Sequence, residues 1–223
     1  LDSGDPASGP RRLPAIVWYP AAGRAASGDA IYMDGAAATV TLPAIARNFG
    51  YTVEDLHAMT VMRPGVQSKA APARYPQGFP VVVVSHGLFL YPEQNSVLAA
   101  RLASHGYVVV SIAHPGDAAD VRLKDGRIVA TKLSNGSDDA RFASRLKALV
   151  GGADLATCRE ALTGYAAAFA ATRLGRSFAE WRDDTLAVAR AILDRNEPRD
   201  LHDALSSADR SRLVFAGMSF GGA

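Results

Sequence analysis

Two apolar runs, residues 79–85 and 107–112, bracket a stretch with helical spacing, and together they restrict this chain to few architectures. The first, Phe79-Pro80-Val81-Val82-Val83-Val84-Ser85, does not alternate apolar with polar residues, as expected of a strand covered on both faces. His86-Gly87-Leu88 ends it. Residues 95–104 repeat apolar side chains at Val97, Leu98 and Leu102, and Gly106 suits the left-handed position that stops a helix. Strand, helix and strand in that order predict a right-handed βαβ unit, and hence an α/β fold with a mostly parallel sheet and helices on both faces.

Around that unit the signals vary in strength. Residues 1–10 are rich in Gly, Pro, Ser and Asp and read as a loose terminus. Residues 13–19 predict a strand closed by Pro20, whereas residues 21–50 carry only a weak pattern of alanines and scattered glycines. A short helix is expected over 53–58, with Thr52 as its cap, then an irregular connection over 63–78. Lys124-Asp125-Gly126-Arg127 predicts a hairpin joining 121–123 to 128–130. Helices are expected over 138–150, 154–172 and 181–195, the last with Asp183 and Asp184 in its first turn. A short strand over 213–216 precedes a glycine-rich turn, Gly217-Met218-Ser219-Phe220-Gly221.

Composition removes several function classes. With 48% hydrophobic residues in 223, the chain has enough apolar content for a packed core. Lys+Arg at 24 against Asp+Glu at 22, with no basic run, offers no stripe to neutralise a phosphate backbone, so nucleic acid is not expected as a partner. The single Cys158 forms no internal disulfide and no Cys-based zinc site. No apolar run reaches the roughly 18–20 residues of a membrane span, and the start at Leu1 shows no signal-peptide pattern, which leaves the compartment open.

The chemistry concentrates in two places. Gly217-Met218-Ser219-Phe220-Gly221 fits the G-x-S-x-G nucleophile elbow, a strained strand-to-helix turn whose glycines let backbones pass too close for a Cβ. Residues 212–216 supply the strand that the elbow requires. His86-Gly87-Leu88 follows the first buried strand, where such folds draw a second oxyanion donor, so Leu88 and Phe220 are the candidate oxyanion-hole amides for a Ser219 nucleophile. His114, at the end of the second buried strand, is a candidate for the wall of a substrate pocket. His86 and His105 read as structural, His57 and His202 as solvated, and Asp117 and Asp120 as turn-forming.

Residues 13–20, Tyr75-Pro76, the run from Phe79 to Leu88, Leu102-Ala103-Ser104-His105-Gly106-Tyr107, His114-Pro115-Gly116-Asp117, the Asp-Gly hairpin and Ser219-Phe220-Gly221-Gly222 resemble the serine α/β-hydrolases related to platelet-activating-factor acetylhydrolase and the predicted dienelactone hydrolases. The likeness covers most of the chain, patchily; its strand-turn motifs are specific and the region from about 137 to 182 is not. It implies hydrolysis of a carboxylic ester, of a small molecule or a lipid, through a Ser-His-Asp triad, with no metal and no organic cofactor. By position it implies Ser219 as nucleophile and Leu88 and Phe220 as oxyanion donors. Met218 stands where relatives often carry histidine.

In that family the acid and histidine follow the nucleophile, and here nothing follows Ala223. The expectation is therefore a single, incomplete α/β-hydrolase domain over 1–223, truncated after the elbow, with 118–180 as a possible cap insertion. Alone the chain is expected to be inactive and either poorly soluble or partner-dependent, with a complementing fragment or an oligomer as the possible partner. The alternatives are a non-catalytic α/β domain or a fragment contributing to a partner, and an acyltransferase or peptidase on the same scaffold.

Overall fold

In the computed structural model the apolar run is strand Phe79–Ser85, and its two neighbours in the sheet explain its composition. The structure describes residues 11–23, 28–132, 144, 146, 147, 149–151 and 154–223. The expected loose terminus over 1–10 and most of the expected helix over 138–150 lie outside the described residues. The chain divides into two compact units, Leu1–Thr131 with Asp184–Ala223, and the inserted Lys132–Asp183.

The described strands are β1 (Ala15–Trp18), β2 (Phe79–Ser85), β3 (Val108–Ile112), β4 (Val121–Arg122), β5 (Ile128–Val129) and β6 (Ala208–Gly217). The helices are α1 (Gly35–Phe49), α2 (Ala58–Val61), α3 (Ser96–Ser104), α4 (Leu155–Ala171), α5 (Arg173–Leu193) and α6 (Arg199–Leu205).

The first unit holds a four-stranded sheet in the order β1-β3-β2-β6. Strand β2 runs parallel to both β3 and β6, and β1 closes the far edge antiparallel to β3. Alternate residues of a strand face opposite sides. Val81, Val83, Val108, Val110 and Ile112 accordingly pack with Ile192 and Leu205, while Val82, Val84 and Val109 pack with Trp18, Ala99 and Ala103. Because both faces are covered, β2 and β3 have no polar alternation. Each fully buried valine contributes at most about 1.5–3 kcal/mol. Strands β4 and β5 form the expected hairpin, with Gly126 at φ 87°.

Helix α1 occupies much of the stretch in which the sequence shows only a weak pattern. Asp34 caps it by accepting the Ala37 N–H at 2.8 Å, and Gly50 ends it in the left-handed region. Pro43 lies inside, removing one backbone donor. The helix persists through it because Leu42, Ala44, Ile45 and Ala46 are buried on either side of the proline. The helix expected over 53–58 does not form as one element: the Thr52 hydroxyl accepts the Asp55 N–H and the Asp55 carboxylate accepts the Thr52 N–H, but they lead into a 3-10 turn over Glu54–Leu56, and α2 follows only at Ala58.

Two expected boundaries are corrected. Helix α5 begins at Arg173, eight residues before the expected Trp181, so Asp183 and Asp184 lie in its middle and not in its first turn. Strand β6 starts at Ala208, five residues before the expected 213, because its register against β2 shifts between Pro80 and Val81 and so skips residues 210–212. Asp209 organises the skipped loop, accepting from the Ser211 N–H and from Arg212. The Arg210 guanidinium turns inward there and pairs with Glu197.

Val214 and Phe215 in β6, and Met218 just after it, stay about half exposed, and among the described residues β6 pairs only with β2. In the inserted unit, Asp154 caps α4 by accepting the Thr157 N–H at 2.8 Å. Among the described residues no helix is long and apolar enough to cross a membrane.

Candidate active site

The turn after β6 has the backbone that the Gly-x-Ser-x-Gly pattern predicts. Ser219 sits at φ 52°, a left-handed conformation that costs a non-glycine residue about 1–3 kcal/mol. Gly221 closes the turn by donating its N–H to the Met218 carbonyl at 2.9 Å. The Met218 N–H reaches across to the Ser85 carbonyl at 3.1 Å and ties the turn to the end of β2.

Both flanking glycines are needed for steric reasons. A Cβ on Gly217 would run into the Gly221 carbonyl, and one on Gly221 would run into the His86 carbonyl and lie 2.7 Å from the Ser85 oxygen. The turn holds Ser219 exposed while its backbone lies directly on Ser85, the last residue of β2, and on His86, which follows it.

The loop after β2 is the other half. The Gly87 N–H donates to Gln94 Oε1 at 2.8 Å, and the Gly87 carbonyl accepts from the Leu90 N–H at 3.0 Å, closing a tight turn around Leu88 and Phe89. Phe89 takes the left-handed position of this turn, at φ 64°. Its N–H donates to the Asp117 carbonyl, and the Ala119 N–H donates to the Leu90 carbonyl, both at 2.7 Å. The loop after β3 thereby pins the loop after β2. A Cβ on Gly87 would stand 3.6 Å from the Met218 carbonyl, so this loop abuts the turn that holds Ser219. Among the described residues the Leu88 N–H makes no hydrogen bond.

Two buried histidines lie beneath this surface, and their partners fix their tautomers. His86 Nδ1 lies 2.7 Å from the Gly87 carbonyl, which only accepts, so Nδ1 carries the proton and Nε2 accepts the His114 N–H at 3.1 Å. Burial, with His114 beside it, pushes the His86 ring down to about 3 and keeps it neutral. His114 is wholly buried. Its Nδ1 donates to Asp184 Oδ2 at 2.9 Å and its Nε2 accepts from the Ser85 hydroxyl at 3.0 Å. Burial lowers its pKa while the hydrogen bond and charge of Asp184 oppose that. Arg11 completes the chain with two hydrogen bonds to Asp184, at 2.7 and 2.9 Å.

The geometry thus brings together Ser219, Phe220 and the Leu88 turn. His114, a candidate for a pocket wall, is instead enclosed with both ring nitrogens engaged. His105 bonds the Arg101 carbonyl of its own helix, His57 is exposed, and His202 pairs with Glu197 at the surface. Asp120 accepts from Thr131 and Arg47 and shapes its loop.

Sequence reasoning passed over Ser85, Asp184 and Arg11. Asp184 was detectable: Trp181, Asp184, Val188 and Ile192 recur at helical spacing, which sets an acid on an otherwise apolar face. A cavity of about 780 Å³ lies elsewhere in the same unit, against Ile16, Ala37, Tyr91, Glu93, Val121 and Leu201. Ser219, Leu88 and Phe220 do not line it. Burial, with Asp34 nearby, pushes the Glu93 carboxyl up to about 7. Among the described residues no three His, Cys, Asp or Glu side chains cluster as metal ligands.

Comparison with known proteins extends these observations. The family model for platelet-activating factor acetylhydrolase, isoform II, matches residues 16–126, from β1 through the loop after β2 to the hairpin. Among solved structures, a ferulic acid esterase from Streptomyces cinnamoneus superposes with a TM-score of 0.61 at 23% identity, over 99% of this chain and 48% of that one. The chain therefore spans about half the length of that esterase. No curated protein matches the sequence significantly.

The steric account predicts that Gly221→Ala destabilises the first unit by at least about 1–3 kcal/mol, the usual cost of overpacking. Gly35→Ala, where a Cβ meets nothing within 4 Å, should leave stability unchanged or raised. Urea unfolding of the two variants compares them directly; equal stabilities would refute the account.

Proposed function

Starting from a chain that is an α/β-hydrolase of the platelet-activating-factor-acetylhydrolase-like type, we propose that the full-length protein is a serine hydrolase of carboxylic esters, of small molecules or lipids, acting through an acyl-enzyme on Ser219. The single observation that carries this reading is the exposed Ser219 at φ 52° on a turn whose glycines admit no Cβ. A serine held in strain at the end of a sheet is pre-positioned for attack on a carbonyl. The Leu88 and Phe220 N–H groups would stabilise the developing oxyanion, each such donor being worth roughly 2.7–4 kcal/mol. Abutment of the Leu88 turn on the elbow supports that pairing.

The general base and its acid partner are assigned to residues outside these 223. In support, His86 and His114 are wholly buried with both ring nitrogens engaged while Ser219 is exposed, and the chain spans only 48% of the esterase it resembles. Without a base the Ser219 hydroxyl remains a weak nucleophile, so the isolated chain would show only the residual acceleration, about 10³–10⁴ over water, that an oxyanion hole and binding supply. Among the described residues β6 is the last strand of the sheet, and its outer backbone edge, with half-exposed Val214 and Phe215 on its two faces, suits pairing with a further strand, from the same protein or a complementing one. The inserted unit, Lys132–Asp183, is the element we assign to substrate selection.

A fluorophosphonate probe should modify Ser219 of the full-length protein, and Ser219→Ala should abolish labelling and lower ester hydrolysis by roughly 10⁶-fold. No adduct would favour a non-catalytic domain; faster cleavage of amide than of ester substrates would favour a peptidase, and acyl transfer to an added alcohol in place of release of free acid would favour an acyltransferase. Removing residues 137–173 from the full-length protein should change its acyl chain-length preference, read as relative kcat/KM across a p-nitrophenyl ester series. An unchanged preference would take substrate selection away from the inserted unit.

A further inference from the structure

The hydrogen-bonded chain Ser85, His114 and Asp184 has the connectivity of a catalytic triad, yet it ends on a serine that is 4% exposed, whereas Ser219 is exposed. We infer that Ser85, His114, Asp184 and Arg11 form a positioning network that fixes the end of β2, and with it both the Leu88 turn and the seat of the elbow. This inference rests on the reading that Ser219 and the Leu88 and Phe220 amides carry the reaction.

The connections converge on two residues. Ser85 uses its carbonyl to hold the Met218 N–H, and its Cβ lies beneath Gly221, close enough to forbid a side chain there. Its hydroxyl donates to His114 Nε2. His86 abuts Gly221 through its carbonyl and binds the His114 N–H through Nε2. His114 therefore grips consecutive residues of the β2 end, one with its ring and the other with its backbone.

The orientation of that ring depends on Asp184. A carboxylate only accepts, so it holds the proton on Nδ1 and leaves Nε2 free to accept from Ser85. Arg11 neutralises the buried carboxylate with two hydrogen bonds and donates a third, at 3.1 Å, to the Pro115 carbonyl in the loop that pins Phe89. The network thus reaches the Leu88 turn from both sides: through Ser85 and His86 along β2, and through Pro115 and Asp117 from β3. Nothing reactive is required of any member, because its only serine is enclosed beneath the elbow.

The test uses the full-length protein, p-nitrophenyl ester kinetics and fluorophosphonate labelling, on Ser85→Ala, Asp184→Asn and the double variant Arg11→Met/Asp184→Asn. The wild type reports on the underlying reading: absence of a Ser219 adduct there overturns it and this inference together. Given that adduct, the variants report on the network. The label should stay on Ser219. In both single variants kcat should fall by about ten- to a hundredfold, the scale of a misplaced reacting group, with KM and the acid limb of the pH profile unmoved. In Asp184→Asn the amide must choose between His114 and an uncompensated guanidinium. Removing that guanidinium in the double variant frees the amide oxygen for Nδ1–H, so kcat should rise above that of Asp184→Asn while staying below wild type, because the Arg11 bond to the Pro115 carbonyl is lost.

Three results overturn the inference: kcat within twofold of wild type in both single variants; a loss near 10⁴ with a shifted acid limb, which would make His114 the general base; or no recovery in the double variant. Should Asp184→Asn fail to fold, Ser85→Ala decides alone, since it removes one hydroxyl and leaves the Arg11 pair intact.

Discussion

Everything at the candidate site depends on one close approach, that of the turn after β6 to the carbonyls of Ser85 and His86. Parallel pairing sets Ser85 opposite Gly217, and the Met218 N–H then caps the Ser85 carbonyl. At this separation a single Cβ on Gly221 would collide with two backbone oxygens. The glycines therefore let the two strand ends meet, and the meeting holds Ser219 in a conformation it would not otherwise keep. A strained residue persists only where its surroundings over-determine it, and here they do so twice, at Ser219 and at Phe89.

Those surroundings are polar and buried, an arrangement with definite costs. Two neutral histidines, a carboxylate and a guanidinium are enclosed within one unit, and each avoids the desolvation penalty only by having partners. His86 is satisfied by one backbone carbonyl and one backbone N–H, so it acts as a rigid strut between the ends of β2 and β3. His114 and Asp184 add a link from helix α5, and Arg11 a link from the segment before β1. An apolar core would hold the sheet together as well. Hydrogen bonds with fixed directions also set the orientation of the loops, which apolar packing does not.

The sequence revealed the parts of the fold whose signal is local. Continuous valine in β2 and β3, Gly126 in the hairpin and Gly106 after α3 each carry their reason within a few residues. Helix α1 was missed because Pro43 argues against a helix locally, and the burial of Leu42, Ala44 and Ile45 that overrides it is tertiary. Strand β6 is longer than its local signal because its first residues pair with Phe79 and Pro80 across an irregular register that only the partner strand defines. At the site, Ser219 and its glycines were legible because the turn's steric demand is written into five consecutive residues. Ser85, Asp184 and Arg11 were not, since they lie up to 173 positions apart and meet only through the fold. His114 was singled out for its strand-end position, which speaks to location and not to which way the ring is committed.

As an α/β-hydrolase that spans half of the esterase it resembles, the chain is proposed to supply the nucleophile and the oxyanion donors of an ester-cleaving site. The most direct test is a crystal structure of the full-length protein after reaction with a fluorophosphonate. The account predicts phosphorus bonded to Ser219 Oγ, with the phosphonyl oxygen about 2.7–3.1 Å from both the Leu88 and Phe220 amide nitrogens. An adduct on another residue, or an oxygen bonded to neither amide, would contradict it.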